Sequence, residues 1–258
     1  MPVRTIAFTS GKGGVGKTSI TANLGIAIAA QDNRVGVVDA DLGLANLDVI
    51  LKLKPKYNIE HVINGEKSLE EIFIKGPAGL VVIPASSGKL SLANLSNDYR
   101  AKLIRDLIQS TKDFDLLLID TAAGMSQNVL EFGLIAHEIM VITTPEPTAI
   151  TDAYAMIKVF SMLNGIAKNP QSATDIGLIV NMTNSANQAE EVAERIIMAT
   201  RQFLSVKVNF MGYILKDSLV SDSVYSQQPL IFKYPESNAA RCMNNIADRI
   251  LANAKFSR

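Results

Sequence analysis

Gly11-Lys12-Gly13-Gly14-Val15-Gly16-Lys17-Thr18 follows a short apolar run at 5–9 and opens a helix-spaced stretch at 19–30. The eight residues satisfy G-x-x-x-x-G-K-[ST] in the strand–loop–helix setting that a phosphate-binding loop requires. Glycines permit the positive-φ turns and close backbone approach that aim successive N–H groups at one phosphate chain. The helix beginning at Thr18 turns its positive dipole end to the same place. Lys17 is suited to β- and γ-phosphate oxygens, and the Thr18 hydroxyl to Mg²⁺. Ser19, next in line, is grouped with the loop as nucleotide-binding. Gly11-x-Gly13-x-x-Gly16 also fits the dinucleotide fingerprint, with Asp39 where a ribose-binding acid belongs. Two features weigh against it: Lys17-Thr18 has no use in that loop, and the second strand ends in two acids, Asp39 and Asp41.

Working outward, further β-branched runs occur at 35–39, 80–84, 116–120, 139–143, 176–181 and 206–214, most of them apolar on consecutive residues. That pattern marks strands covered on both faces. Helix-spaced segments at 99–111, 149–164 and 187–203 separate them, and a last one at 237–254 carries an apolar stripe suited to docking on a sheet. The expectation is an α/β fold of the three-layer P-loop NTPase type, its sheet mostly parallel with helices on both faces. No linker or repeat divides the 258 residues, so one ATPase domain spanning 1–258 is expected.

Composition narrows the chemistry. Hydrophobic residues at 48% supply a full core, and 19% charged residues argue against a disordered chain. Lys+Arg 25 against Asp+Glu 25 leaves no global basic field for nucleic acid, so DNA is not an expected partner. One cysteine excludes a disulfide framework and a CxxC metal or redox pair. There is no signal-peptide pattern and no apolar run long enough for a transmembrane helix, so the expected location is the cytoplasm.

Other positions complete the site. Leu116-Leu117-Leu118-Ile119-Asp120 is an apolar strand ending in an acid placed to hold Mg²⁺, and Gly124, just beyond, allows a switch loop to bring its N–H to the γ-phosphate. Asp39 and Asp41 are placed for the magnesium shell or the attacking water; capping of loop N–H groups is the plainer alternative, and Asp48 reads mainly as a cap. Asn181, at a strand end, can pair with a base edge. The surrounding Asn181-Met182-Thr183-Asn184 lacks the acid that a guanine reader needs, which favours ATP over GTP. His61, His137 and Cys242 read as satisfied or core residues.

Lys12 has no role in a generic loop. A lysine at that position marks the deviant Walker A group, and the chain resembles the MinD/ParA family of ATPases. The likeness runs through 11–18, 39–48, 120–124 and Thr144-Pro145-Glu146-Pro147-Thr148-Ala149-Ile150-Thr151-Asp152-Ala153-Tyr154. The second and fourth of these segments look most like the flagellar-number regulators of the FlhG/FleN (MinD2) type. The resemblance implies slow Mg²⁺-dependent hydrolysis of ATP and a homodimer in the ATP state. Lys12 would cross to the partner's nucleotide and Asp41 would hold the attacking water. Asp39 and Asp120 would lie near the metal and switch loops, and Asn181 at the base. Expected partners are proteins, a flagellar GTPase or a transcription regulator; the alternative is ParA-like partitioning of DNA or cargo. MinD-type relatives carry a membrane helix after the last docked helix, about where this chain stops at Ala254-Lys255-Phe256-Ser257-Arg258. A peripheral place on the inner membrane face is therefore expected only if the final helix doubles as the anchor. Flagellar-number relatives often begin with a Gln-containing segment, whereas this chain starts Met1-Pro2-Val3.

Overall fold

In the computed structural model, which describes residues 3–41, 44–86, 97–163 and 175–256, eight strands form one sheet. The strands are β1 (Arg4–Ser10), β2 (Val35–Ala40), β3 (Ile74–Lys75), β4 (Val81–Ile83), β5 (Leu116–Ala123), β6 (Glu138–Thr143), β7 (Asp175–Thr183) and β8 (Val208–Leu215). Their order is β3-β4-β2-β5-β1-β6-β7-β8, and every neighbouring pair is parallel except β3 with β4. The α/β reading holds, with the two-residue β3 as an addition too short to show in the sequence pattern. Winding runs one way from β1 through β2 and β4, and the other way through β6, β7 and β8. The reversal falls at β1, where open parallel sheets place their ligand crevice.

The consecutive apolar runs are explained by burial on both sides: β2 is buried at all six positions. On one face lie α1 (Lys17–Ala29) and the last helix. On the other lie the helices Asn97–Ser110, Gln127–Leu134, Pro147–Leu163 and Ala186–Leu204. Counting the short helices Leu47–Ile50 and Ile59–Ile63 as α2 and α3, these four are α4 to α7. After β8 come α8 (Ser218–Tyr225), α9 (Leu230–Lys233) and α10 (Asn238–Phe256). The stripe expected on the last helix is indeed core: Ala239, Met243, Ile246, Ala247 and Ile250 are all buried.

Helix α1 departs from an amphipathic surface helix. Every residue from Ile20 to Ala29 is buried, as befits a helix apolar all round. Its one interior amide, Asn23, is 1% exposed and is satisfied at both ends. Its Nδ2 donates to the Ser19 carbonyl at 2.8 Å and its Oδ1 accepts the Ile231 N–H at 3.1 Å, which ties α1 to α9. Leu42 and Gly43, within the second family-like segment, lie outside the described residues, as do Asn164 at the end of the expected 149–164 helix and Ser257 and Arg258.

Candidate functional site

The loop between β1 and α1 opens on a cleft of about 480 Å³ lined by Ser10, Gly13–Ser19, Asp41, Asn46, Val49, Ile50, Ala123 and Val224. Gly14 and Gly16 take φ of 80° and 88°, the turns for which the glycines were expected. Gly11 serves a different need. A Cβ there would lie 2.6 Å from both the Cβ and the backbone oxygen of Asp152, so α6 packs directly on the loop's entry. Gly11→Ala is expected to lower stability by about 1–3 kcal/mol, because a backbone atom cannot rotate away. A urea titration should show the midpoint falling.

Below the loop sit two carboxylates and one cation. Asp39 and Asp120 are paired across β2 and β5, each 1% exposed. The Lys17 ammonium lies 3.0 Å from Asp120 Oδ1, which also accepts from the Thr21 hydroxyl at 3.3 Å. Burial raises the Asp120 carboxyl, opposed by the Lys17 charge and by hydrogen bonds from Thr18, Lys17 and Thr21. Burial, with the neighbouring Asp120 charge second, pushes Asp39 up to about 7, although three backbone N–H groups work the other way. Those donors are Asp41 at 3.1 Å, Asn46 at 2.9 Å and Leu47 at 3.0 Å. Asp39 therefore gathers the N–H groups of Asp41, Asn46 and Leu47, which is the capping alternative, while lying beside Asp120.

These residues fit a magnesium nucleotide. Two buried acids lie side by side with Lys17 paired to only one of them, so a divalent cation beside them would relieve a shortage of positive charge. The Ser19 hydroxyl is buried without a partner, an acceptor and donor left over in the cradle. Among the described residues no cluster of three or more His, Cys, Asp or Glu could cage a metal. Mg²⁺ bound by a hydroxyl, a carboxylate, phosphates and water needs none.

Asp41 lines the cleft and accepts the Leu44 N–H at 3.1 Å. Gly124 has φ 83°, but its N–H donates to the Ser10 carbonyl at 2.9 Å. In this state that donor is spent, and it reaches a phosphate only if the bond opens. Lys12 is half-exposed and bound within its own chain, to Glu146 Oε2 at 2.6 Å and the Thr148 hydroxyl at 3.3 Å. Asn181 is buried, and its Nδ2 donates to the Val15 carbonyl at 2.8 Å, so its amide is engaged by the loop itself. Asp48 accepts the Val49 N–H at 2.8 Å within α2, whose cap position is Asn46. His61 closes a capping box with Asn58, and His137 Nδ1 accepts the Thr5 N–H at 3.1 Å, so both are satisfied. Cys242 is half-buried against the core. Glu146, Thr148 and Asp152 were given no role by the sequence reading. Their signal was present, since all three lie in the fourth family-like segment.

Comparison with known proteins follows the same lines. Residues 6–230 match the family described as the CobQ/CobB/MinD/ParA nucleotide binding domain. The chain is 36% identical over 249 residues to the antiactivator FleN of Pseudomonas aeruginosa, covering 96% of this chain and 86% of that one. It is 34% identical over 248 residues to the flagellum site-determining protein YlxH of Helicobacter pylori, covering 96% and 81%. Among solved structures it resembles the septum site-determining protein MinD complexed with Mg-ADP from Pyrococcus horikoshii. There the TM-score is 0.80 at 23% identity, with 99% of each chain covered, a likeness of fold.

Proposed function

The chain belongs to the CobQ/CobB/MinD/ParA nucleotide-binding family, and from that footing we propose that it is an ATP-driven dimer switch governing flagellar number or placement. It is a magnesium-dependent ATPase of the MinD/ParA kind, one that dimerises and works through protein partners. The flagellar assignment is carried by one observation: FleN and YlxH both align over 96% of this chain at more than one-third identity. FleN's description as an antiactivator supports a transcription regulator as the partner, with a flagellar GTPase as the other candidate.

In this reading the loop 11–18 cradles the phosphates with its N–H groups, and Lys17 neutralises the β/γ oxygens from within the same subunit. Thr18, Asp120 and Asp39 hold the metal and its water. Held there by Thr18 and the two acids, magnesium would supply charge neutralisation to the phosphates. Asp41, on the cleft wall, orients the attacking water. Lys12 leaves Glu146 and reaches the nucleotide of the second subunit, so hydrolysis waits on dimer formation. No described helix is long and apolar enough to cross a membrane. We place the protein in the cytoplasm, with α10 as a docked helix whose apolar face is already used.

The test is genetic and biochemical together. Deleting the gene in its own host should change the number or position of flagella per cell. The purified protein should bind ATP more tightly than GTP in a calorimetric titration. Normal flagella, combined with salt-sensitive DNA retardation that appears only with ATP, would replace this reading with a partitioning ATPase.

A further inference from the structure

Asn181 sits at the second of two register shifts in the pairing of β7 with β8. Pairing of β7 with β8 shifts register between Val180 and Thr183, and Met182 takes φ 58°, a left-handed conformation that residues other than glycine adopt only at a cost. The jog leaves the Asn181 side chain 7% exposed with Nδ2 2.8 Å from the Val15 carbonyl. A Cβ built on Gly16 would lie 2.6 Å from the same nitrogen, so the amide rests against the loop at the point where it turns through φ 88°. Chemistry settles which end of the amide lies there, because an oxygen facing the Val15 carbonyl would repel it.

We propose that Asn181 is a positioning residue for the phosphate chain: it holds the Val15–Gly16 peptide of the loop in its binding orientation, whether or not a base is present. Carbonyl and N–H point in opposite directions across one planar trans peptide. Fixing the Val15 oxygen therefore fixes the direction of the Gly16 N–H, one of the donors a phosphate would meet. Met182 is the strained residue that keeps the amide against the loop. This rests on the reading that the loop takes the phosphates of ATP, and it adds a task that contact with a base edge would not require.

The two tasks separate when the base is removed. The experiment displaces a fluorescent ATP analogue with Mg-ATP and with Mg-tripolyphosphate, from the unmodified protein and from Asn181→Ala and Asn181→Asp. The unmodified protein should bind both ligands, since the cradle is held ready without adenosine. Asn181→Ala should weaken both by the same factor, about tenfold for one buried hydrogen bond lost with its acceptor left unpaired. Asn181→Asp, which sets a carboxylate against the Val15 carbonyl, should weaken both further. The melting temperature of the ligand-free variants should fall by only a few degrees, the cost of one buried hydrogen bond in a fold of this size. Weaker ATP binding with tripolyphosphate unchanged would mean a base contact alone and would overturn the proposal. So would an unmodified protein that binds ATP but not tripolyphosphate, or a lowered melting temperature with both affinities intact. Should Asn181→Ala not fold, Asn181→Ser, too short to reach Val15, is read by the same criteria. An unmodified protein that binds neither ligand would instead sink the ATPase reading of the site.

Discussion

Lys17→Ala should abolish measurable ATP binding while the chain still folds. The Lys17 side chain is 9% exposed and its ammonium lies 3.0 Å from Asp120, whose strand neighbour Asp39 is also buried, so it is the cation paired with the acids beneath the loop through Asp120. Adding a triphosphate to that environment without the lysine brings several more negative charges into a poorly solvated space. Removing one partner of a buried charge pair costs about 3–5 kcal/mol, which corresponds to roughly 10²–10⁴-fold in affinity. In the empty variant, Asp120 has the escape of taking up a proton, since its carboxyl is already raised by burial. Fold is therefore expected to survive better than binding. Calorimetry with Mg-ATP beside circular dichroism separates the two, and an affinity within threefold of the unmodified protein would refute Lys17's place on the phosphates.

Lys12→Ala and Asp41→Ala should part company in the other direction. Lys12 is paired with Glu146 at a half-exposed position, and such pairs contribute little to stability, so its loss should leave the monomer intact and able to bind ATP. What should disappear is the dimer, because the ammonium that crosses to the second nucleotide is gone. Asp41→Ala should bind ATP, dimerise and stay dimeric, since removing a general base slows a reaction by about 10²–10⁴-fold without removing a phosphate contact. Light scattering with ATP and Mg²⁺ reads all three proteins in one series. A Lys12→Ala protein that dimerises normally, or an Asp41→Ala protein that binds ATP yet stays monomeric, would refute the crossed-lysine switch.

Much of this was legible before any coordinates, for identifiable reasons. The phosphate loop could be read because glycine spacing, lysine and threonine are each demanded by one ligand. The sheet could be read because strands buried on both faces must be apolar without alternation, as β2 and β5 are. Less legible were contacts that depend on what lies across the fold. Asn181 looked like a residue for the base, yet its amide donor is held by Val15, a partner 166 positions away. Asp39 looked like a metal-side acid, and no local pattern revealed that its oxygens collect the N–H groups of Asp41, Asn46 and Leu47. Gly11 looked like a residue freed for its backbone angles. The reason it has no side chain is the nearby backbone of Asp152 in α6, a helix that follows β6.

The enclosure of α1 has a consequence for how the molecule opens. Its amides are shielded by the sheet on one side and by α9 and α10 on the other, and Asn23 pins it from within. Exchange of those amides with deuterated solvent cannot proceed by fraying of a surface helix, since nearly every turn is covered. They must wait for the sheet and its cover to separate, which makes them reporters of global unfolding. The half-exposed pairing of Lys12 with Glu146 sits at the opposite end of that scale, open to solvent at both of its side chains. The loop at 11–18 thus leads from a solvent-open ion pair at Lys12 straight into a helix expected to exchange only when the whole fold opens.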